Sequence, residues 1–316
     1  MILTRELQSV RVWAPAKLNL FLEILDRRAD GYHEIETLMV AIGICDTIDF
    51  SATDEDRLEL TCLTSAGWRA RERARGADAS LLGTIPESTD NLVVRALQRL
   101  REAAGIRAGA HVRLVKRIPA AAGLGGASSD AAAVLKAANV AWNLGWSSDR
   151  LAELAASLGS DIPFFFGCGA GLARGRGEKM ESLAVPSGMP VVLVRPPVGL
   201  STADVYRQCR PAVQPLSARP MAEALMRGDW QTVGRGLHNQ LEPAAEKLTC
   251  WIARLREVFG RVDCLGHQMS GSGSSYFGIC RHAGHARRVA ARLRGSDLGY
   301  VAVATTVSIP RLVPPS

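Results

Sequence analysis

The chain has 316 residues, 47% of them hydrophobic, and a net charge of +7, enough for a sizeable core divided between two domains. No stretch approaches the roughly 20 apolar residues that span a bilayer, and the opening Met1 to Trp13 mixes Arg5, Glu6 and Arg11 into short apolar pieces, unlike a signal peptide. Cys45, Cys62, Cys168, Cys209, Cys250, Cys264 and Cys280 are scattered and never form C-x-x-C, which speaks against a disulfide framework or a zinc site and for a reducing cytoplasm. The positive charge suits an anionic partner, either nucleic acid or a phosphorylated metabolite. The arginine clusters Arg69, Arg71, Arg73, Arg75 and Arg287, Arg288, Arg292, Arg294 carry no interleaved aromatic residues. They read as solvated surface, not as a nucleic-acid footprint.

In chain order, residues 10 to 25 alternate as a strand, with Leu18, Leu20, Leu22 and Ile24 on one face and Lys17, Asn19, Phe21 and Glu23 on the other. Strands follow at about 36 to 44, 46 to 52 and 58 to 63. Segment 64 to 88, rich in Ser, Gly, Ala and Arg without a clean period, reads as a surface insertion. Asp90 is a candidate N-cap for a helix to about 104. A strand from His111 to Lys116 enters a glycine-rich loop, and helices follow to about 143 and from 148 to 158. Strands are expected at 169 to 175 and 190 to 195, and Pro186, Pro190, Pro196 and Pro197 mark a handover between domains at 1 to 185 and 186 to 316. Beyond it, helices at about 217 to 227, 245 to 259 and 283 to 294 alternate with strands at 265 to 269, 275 to 280 and 299 to 307. The pattern predicts an α+β fold with mostly antiparallel sheets.

The loop Pro119, Ala120, Ala121, Ala122, Gly123, Leu124, Gly125, Gly126, Ala127, Ser128, Ser129 lies between a strand and a helix. Glycines let backbone approach a ligand, and successive N–H groups at a helix start can cradle phosphate. It is neither a Walker A motif nor a Rossmann fingerprint, and alone it could be a linker ending in a helix cap made by Ser128 or Ser129. Lys17 and Asn19 share one face of an otherwise apolar strand; alone, Lys17 could be an edge lysine. Asp161, before Ile162-Pro163 and three phenylalanines, could be a turn residue. Together they suit phosphoryl transfer to an alcohol: a carboxylate accepts the hydroxyl proton, and an ammonium beside it favours the ionised carboxylate and stabilises transition-state charge.

With these segments in view, the sequence resembles the GHMP kinase superfamily. The resemblance rests on Ala14-Pro15-Ala16-Lys17-Leu18-Asn19 with Asp30-Gly31-Tyr32-His33, on the glycine loop, on Gly159-Ser160-Asp161-Ile162-Pro163, and on Ser270-Gly271-Ser272-Gly273-Ser274-Ser275. The Asp-Gly-Tyr-His segment is similar to the branch acting on a cytidine-diphosphate-linked methylerythritol; homoserine- and mevalonate-type kinases are the alternatives, and a non-catalytic nucleotide- or RNA-binding protein the alternative of another class. The resemblance implies an N-terminal domain like the second domain of ribosomal protein S5 and a ferredoxin-like C-terminal domain, with the site between them. It implies ATP and Mg2+, with metal ligands unassigned, a small-molecule cytidine diphosphate substrate, no nucleic-acid or membrane partner, and a monomer or weak homodimer. It further implies Asp161 as general base, Lys17 as its partner and Asn19 on the acceptor. Tyr32 and His33 would line the cytidine pocket, with Tyr206 as a second aromatic wall. Residues 119 to 129 would hold the ATP phosphates, and Asn91 and Lys116 would lie near the nucleoside. Two departures stand out: Ala120, Ala121 and Ala122 replace frequent glycines, which should stiffen that end of the loop, and Gln240 replaces an acidic residue.

Overall fold

A computed structural model describes residues 3–6, 9–65 and 90–309. The insertion at 64 to 88, beyond Ser65, and the arginines at 69 to 75 lie outside the described residues. Two sheets organise the rest. The first has eight strands: β1 (Leu3–Glu6), β2 (Ser9–Arg27), β3 (His33–Thr53), β4 (Leu58–Thr64), β5 (Gly109–Lys116), β6 (Ala170–Gly175), β7 (Lys179–Ser182) and the two-residue β9 (His238–Asn239). Its main order is β1-β2-β3-β5-β4; β6 pairs with the first half of β3, and β9 runs parallel to β2. The second sheet is antiparallel throughout, in the order β10 (Gly266–Met269), β11 (Tyr276–Ile279), β8 (Pro190–Arg195), β12 (Tyr300–Thr305). Counted along the chain its strands lie 2-3-1-4, the ferredoxin-like order. Pairing is mostly antiparallel, as the alternating pattern implies; among the described strands only β2 with β9 and β4 with β5 run parallel.

The strands expected at 36 to 44 and 46 to 52 are one strand, β3. A register shift passes Pro15 opposite Cys45 and Ala16 opposite Ile42, so β3 bends without breaking. A second shift, between Asn19 and Phe21, leaves Leu20 without a partner. Leu20 and Phe21, which alternate in sequence, therefore enter the same core cluster, and Lys17, Asn19 and Glu23 are buried as well.

Helix α1 (Leu92–Ala104) is capped by Asn91, not by Asp90: the Asn91 side chain accepts from the Val93 N–H at 2.9 Å. Helix α2 (Gly126–Ala141) is buried on nearly all sides, and its alanines let it lie close to β2, β3 and α1 in the largest core cluster. Helix α3 (Ser148–Ala156) and a short 3-10 turn (Pro163–Phe166) follow. The second half carries α4 (Thr202–Gln208), α5 (Arg219–Met226), α6 (Trp230–Arg235), α7 (Glu242–Leu248), α8 (Cys250–Gly260) and α9 (Ala283–Arg294), of which α6, α8 and α9 pack against the second sheet. The helix expected over 245 to 259 is two helices, because Thr249 is extended (φ −156°, ψ 140°) and caps α8 through its hydroxyl. Arg287, Arg288, Arg292 and Arg294 form the exposed face of α9, a solvated helix face.

The chain ends its described course on the first sheet, with Val307 donating to Ala41 and Ile309 to Cys168. Gln240 ties the halves together: its carbonyl oxygen accepts from the Ile24 N–H at 2.6 Å and its amide donates to the Arg210 carbonyl at 2.8 Å. All seven cysteines are free thiols. Among the described residues no helix is long and apolar enough to cross a membrane. Asn91→Ala should lower the free energy of unfolding by about 1 kcal/mol through loss of the α1 cap, read by urea unfolding; an unchanged midpoint would show that the cap contributes nothing.

Candidate active site

A cavity of about 1110 Å³ lies between the two halves. It is lined by Lys17, Asn19, Tyr32, His33, Asn91, Lys116, all of 119 to 128, Asp161 and Tyr206. Of the residues expected to act in catalysis or to bind substrate or ATP, Ser129 alone is absent from its walls: it is fully buried in the first turn of α2 and its hydroxyl has no hydrogen-bond partner. Nor do Ser128 and Ser129 cap the helix. The capping position is Gly125, in the left-handed region at φ +66°, and no side chain takes up the helix N–H groups there. They remain available to an anion, where the helix dipole also favours one.

The loop is fastened from two sides. The Lys17 N–H donates to the Leu124 carbonyl at 2.9 Å, and the Ser275 N–H to the Ala122 carbonyl at 3.2 Å. The Ser270 hydroxyl donates to the Gly123 carbonyl at 3.0 Å. A methyl group on Gly123 would stand 2.0 Å from the Ser270 carbonyl oxygen, so the close packing of the two glycine-rich segments requires glycine there. Ala121 adopts φ +48°, a conformation costly for alanine, so this end of the loop turns left-handed even without a glycine.

The third segment, 270 to 275, is held by residues that the sequence left unassigned. Asn239 donates to the carbonyls of Met269 and Gly271, both at 2.8 Å, and Glu242 accepts from the Met269 N–H at 3.0 Å. Thr202 and Ser272, both on the cavity wall, share a hydrogen bond of 2.9 Å.

At the centre of the cavity wall the Lys17 ammonium, only 4% exposed as a residue, lies 3.4 Å from an Asp161 carboxylate oxygen. It also donates to the Asn19 side-chain oxygen at 2.5 Å, and the Asn19 amide donates to the Thr37 hydroxyl at 2.9 Å. Thr37 donates onward to the Phe21 carbonyl at 2.7 Å. This chain fixes Asn19 with its oxygen toward the ammonium. The Asp161 side chain is 36% exposed, so it meets the cavity while Lys17 lies behind it.

Lys116 lines the cavity as a paired side chain. Its ammonium bridges Asp46 and Asp130, the latter at 2.6 Å, and all three are buried. Asp46 also accepts from the N–H groups of Arg117 and Ile118. Burial works against the Lys116 charge, but Asp130 and Asp46 together hold it well above the ordinary lysine range. Burial likewise pushes the Asp130 carboxyl up, and Lys116 offsets this only in part. Lys116 therefore anchors the root of the glycine-rich loop to the sheet.

At the other end of the cavity, the Tyr206 ring packs against His33, with centroids 5.3 Å apart and planes tilted by 42°. Tyr32 is 57% exposed, with the Arg176 guanidinium 5.0 Å from its ring centre. Among the described ring contacts none joins Tyr32 to Tyr206, so the aromatic partner of Tyr206 is His33. Burial, then the charge of Arg27, lowers the His33 pKa, which favours a neutral imidazole able both to donate and to accept. Burial, then the Asp161 charge, raises that of the Tyr206 phenol. Arg27, Arg176, Arg207 and Arg210 line this end of the cavity; nothing in the sequence separates them from solvated arginines.

Two family models match the chain, the GHMP kinases N terminal domain over residues 91–169 and the GHMP kinases C terminal over 221–296. A 4-diphosphocytidyl-2-C-methyl-D-erythritol kinase of Pelotomaculum thermopropionicum is 42% identical over 90% of this chain and 93% of its own length. One of the same name from Bacillus cytotoxicus is 37% identical over 90% and 92%. Among solved structures, a 4-(cytidine 5'-diphospho)-2C-methyl-D-erythritol kinase superposes with a TM-score of 0.74 at 34% identity, covering 94% of this chain and 99% of that one. A homoserine kinase from Cytophaga hutchinsonii reaches 0.70 at 20% identity over 98% of both chains, a likeness of fold alone. Gly125→Ala should lower kcat at least about 10-fold in a folded protein, because the added methyl would stand 2.9 Å from Lys17 Cγ and displace its ammonium; unaltered turnover would show that the loop tolerates the methyl without moving Lys17.

Proposed function

This chain belongs to the GHMP kinase family, and from that premise we propose that it transfers the terminal phosphate of ATP to the C2 hydroxyl of 4-diphosphocytidyl-2-C-methyl-D-erythritol, giving the 2-phosphate and ADP on the non-mevalonate route to isoprenoids. The observation that carries the reading is the Lys17–Asp161 pair, 3.4 Å apart, on a cavity wall shared with an uncapped helix start. ATP is the co-substrate. Its phosphates would lie along the backbone of 119 to 128, at the N-terminus of α2. Mg2+ would arrive with the triphosphate; Ser128 and Asp130, in the first turn of α2, are oxygen donors on that wall, and Asp130 retains one carboxylate oxygen without a hydrogen-bond partner.

Asp161 would accept the proton of the acceptor hydroxyl as that oxygen attacks the γ-phosphorus in line with the departing ADP oxygen. The Lys17 ammonium balances the carboxylate and then the charge that develops on the transferred phosphoryl group. Asn19, fixed by Lys17 and Thr37, would orient the hydroxyl. Toward the opposite end, the rim arginines suit an acceptor that carries phosphates, which homoserine and mevalonate lack. The neutral His33, beside Tyr206, suits hydrogen bonding to the edge of a cytosine. The same reading makes the protein a cytoplasmic enzyme, monomeric or weakly dimeric, without a nucleic-acid partner.

The direct test offers ATP and Mg2+ with the cytidine acceptor, homoserine or mevalonate in separate reactions. ADP and phosphorylated product should appear with the first alone; turnover of either of the others in its place would overturn the acceptor. Asp161→Asn keeps size and hydrogen bonding but cannot take the proton, so kcat should fall about 10²–10⁴-fold with ATP affinity little changed. Near wild-type turnover would remove Asp161 from the mechanism. Stacking of a base on an aromatic ring contributes about 1–3 kcal/mol. Tyr206→Ala should therefore lower kcat/KM for the cytidine acceptor about 10-fold or more while sparing KM for ATP, and Tyr206→Phe should be nearly silent. An alanine variant with unchanged kcat/KM would leave Tyr206 outside the base pocket.

A further inference from the structure

Lys136 lies in the middle of α2, 2% exposed, among alanines and aliphatic side chains. Its ammonium makes one hydrogen bond, to the Phe165 carbonyl at 2.9 Å, and sits 5.2 Å from the centre of the Phe166 ring. Among the described residues no carboxylate offsets the charge. Of the charged side chains of α1 and α3, Arg95, Arg99, Glu102, Asp149, Arg150 and Glu153 are exposed, and the half-buried Arg101 is paired with Asp56. On β2, β3 and α2 itself, Lys17 is paired with Asp161, Asp46 and Asp130 with Lys116, and Asp49 with Arg11. Burial alone brings the Lys136 pKa down to about 7. A methionine would fill this place without desolvating an ammonium.

The atom that Lys136 holds belongs to the segment carrying Asp161. Consecutive tight turns run from Gly159 to Gly167, with N–H bonds from Ile162 to Gly159, Phe165 to Ile162 and Gly167 to Phe164. The Phe165 ring tip stands 3.3 Å from where a methyl on Gly125 would lie, beside the Lys17 side chain. Helix α2 itself begins at Gly126, directly after that glycine. We propose that Lys136 is a positioning residue for phosphoryl transfer: its bond to the Phe165 carbonyl locks the Asp161 turn onto the helix that leads out of the glycine loop, so that carboxylate and phosphate loop keep one spacing. The proposal rests on the reading of Asp161 as the base.

The test compares Lys136→Met, which keeps the shape and loses the donor, with Lys136→Gln, which restores a neutral donor. Lys136→Met should lower kcat about 10-fold or more with KM for ATP within about 2-fold, and Lys136→Gln should recover most of the loss. In an Asp161→Asn background, Lys136→Met should cost nothing further, since the carboxylate it positions no longer acts. Equal losses in both backgrounds, or a glutamine variant as slow as the methionine one, would overturn the proposal. If the methionine variant does not fold, the glutamine variant must retain kcat within about 3-fold of wild type, and a folded but slower one overturns it equally.

A second arm needs no acceptor. Between pH about 7 and 10.5 the folded protein holds Lys136 neutral while the unfolded chain holds it charged. Folding then releases a proton, and stability gained from this group rises with pH. The stability of wild type relative to Lys136→Met, or to Lys136→Gln, should accordingly climb across that window; parallel curves would overturn the buried placement on which the proposal stands. A wild type that turns over none of the cytidine acceptor would sink the acceptor assignment alone, because the pH arm reads Lys136 regardless.

Discussion

Burial of the Lys17 ammonium in an otherwise apolar strand is the constraint around which the site is built. A charge so placed must be paired and hydrogen-bonded or it costs several kcal/mol. Asp161 supplies the opposite charge and Asn19 an oxygen acceptor, itself fixed by Thr37. Because Asp161 is half-buried and Lys17 lies behind it, the pair satisfies the interior while leaving the carboxylate open to the cavity. On the proposed mechanism the groups that stabilise the strand are also those that would carry phosphoryl transfer, so β2 would contribute chemistry and core at once.

The two glycine-rich loops, 119 to 129 and 270 to 275, owe their composition to close packing around this ammonium and against each other. Methyl groups on Gly125 and Gly271 would stand 2.9 Å from Lys17 Cγ and 3.2 Å from its Nζ, and one on Gly123 would collide with the Ser270 carbonyl. Side chains there would hold apart the two segments that close the cavity. Beneath them Lys116 clamps Asp46 and Asp130, one from β3 and one from α2, so the loop between strand and helix has both ends anchored in the core. Such preorganisation would spare the loop an ordering cost if it binds phosphate as proposed.

Much of this was legible in the sequence because its signals are local. Alternation over 10 to 25, the glycine spacing at 123 to 126 and the isolated polar pair Lys17 and Asn19 inside an apolar strand need no tertiary context. The failures share a cause, which is that neighbours distant in sequence decided the outcome. The pairing of Lys116 is invisible in sequence, because Asp46 lies 70 residues earlier. Ser129 follows the glycines, yet the helical turn directs it into the core. The bulge at Leu20 breaks an alternation that the sequence shows as regular. Helices α4 and α6 are too short to display a period, and β9 is two residues added to an edge by the second half of the chain. Asn239 and Glu242 emerge only once they are seen holding the backbone of 269 to 271.

The central claim is spatial: the acceptor hydroxyl lies within reach of both Asp161 and the γ-phosphorus, in line with the departing ADP oxygen. A crystal structure of the protein with a non-hydrolysable ATP analogue, Mg2+ and 4-diphosphocytidyl-2-C-methyl-D-erythritol tests it most directly. The account predicts the C2 hydroxyl about 2.6–3.2 Å from an Asp161 carboxylate oxygen and about 3–3.5 Å from the γ-phosphorus. A complex with both ligands bound and that hydroxyl more than about 5 Å from Asp161 would contradict it.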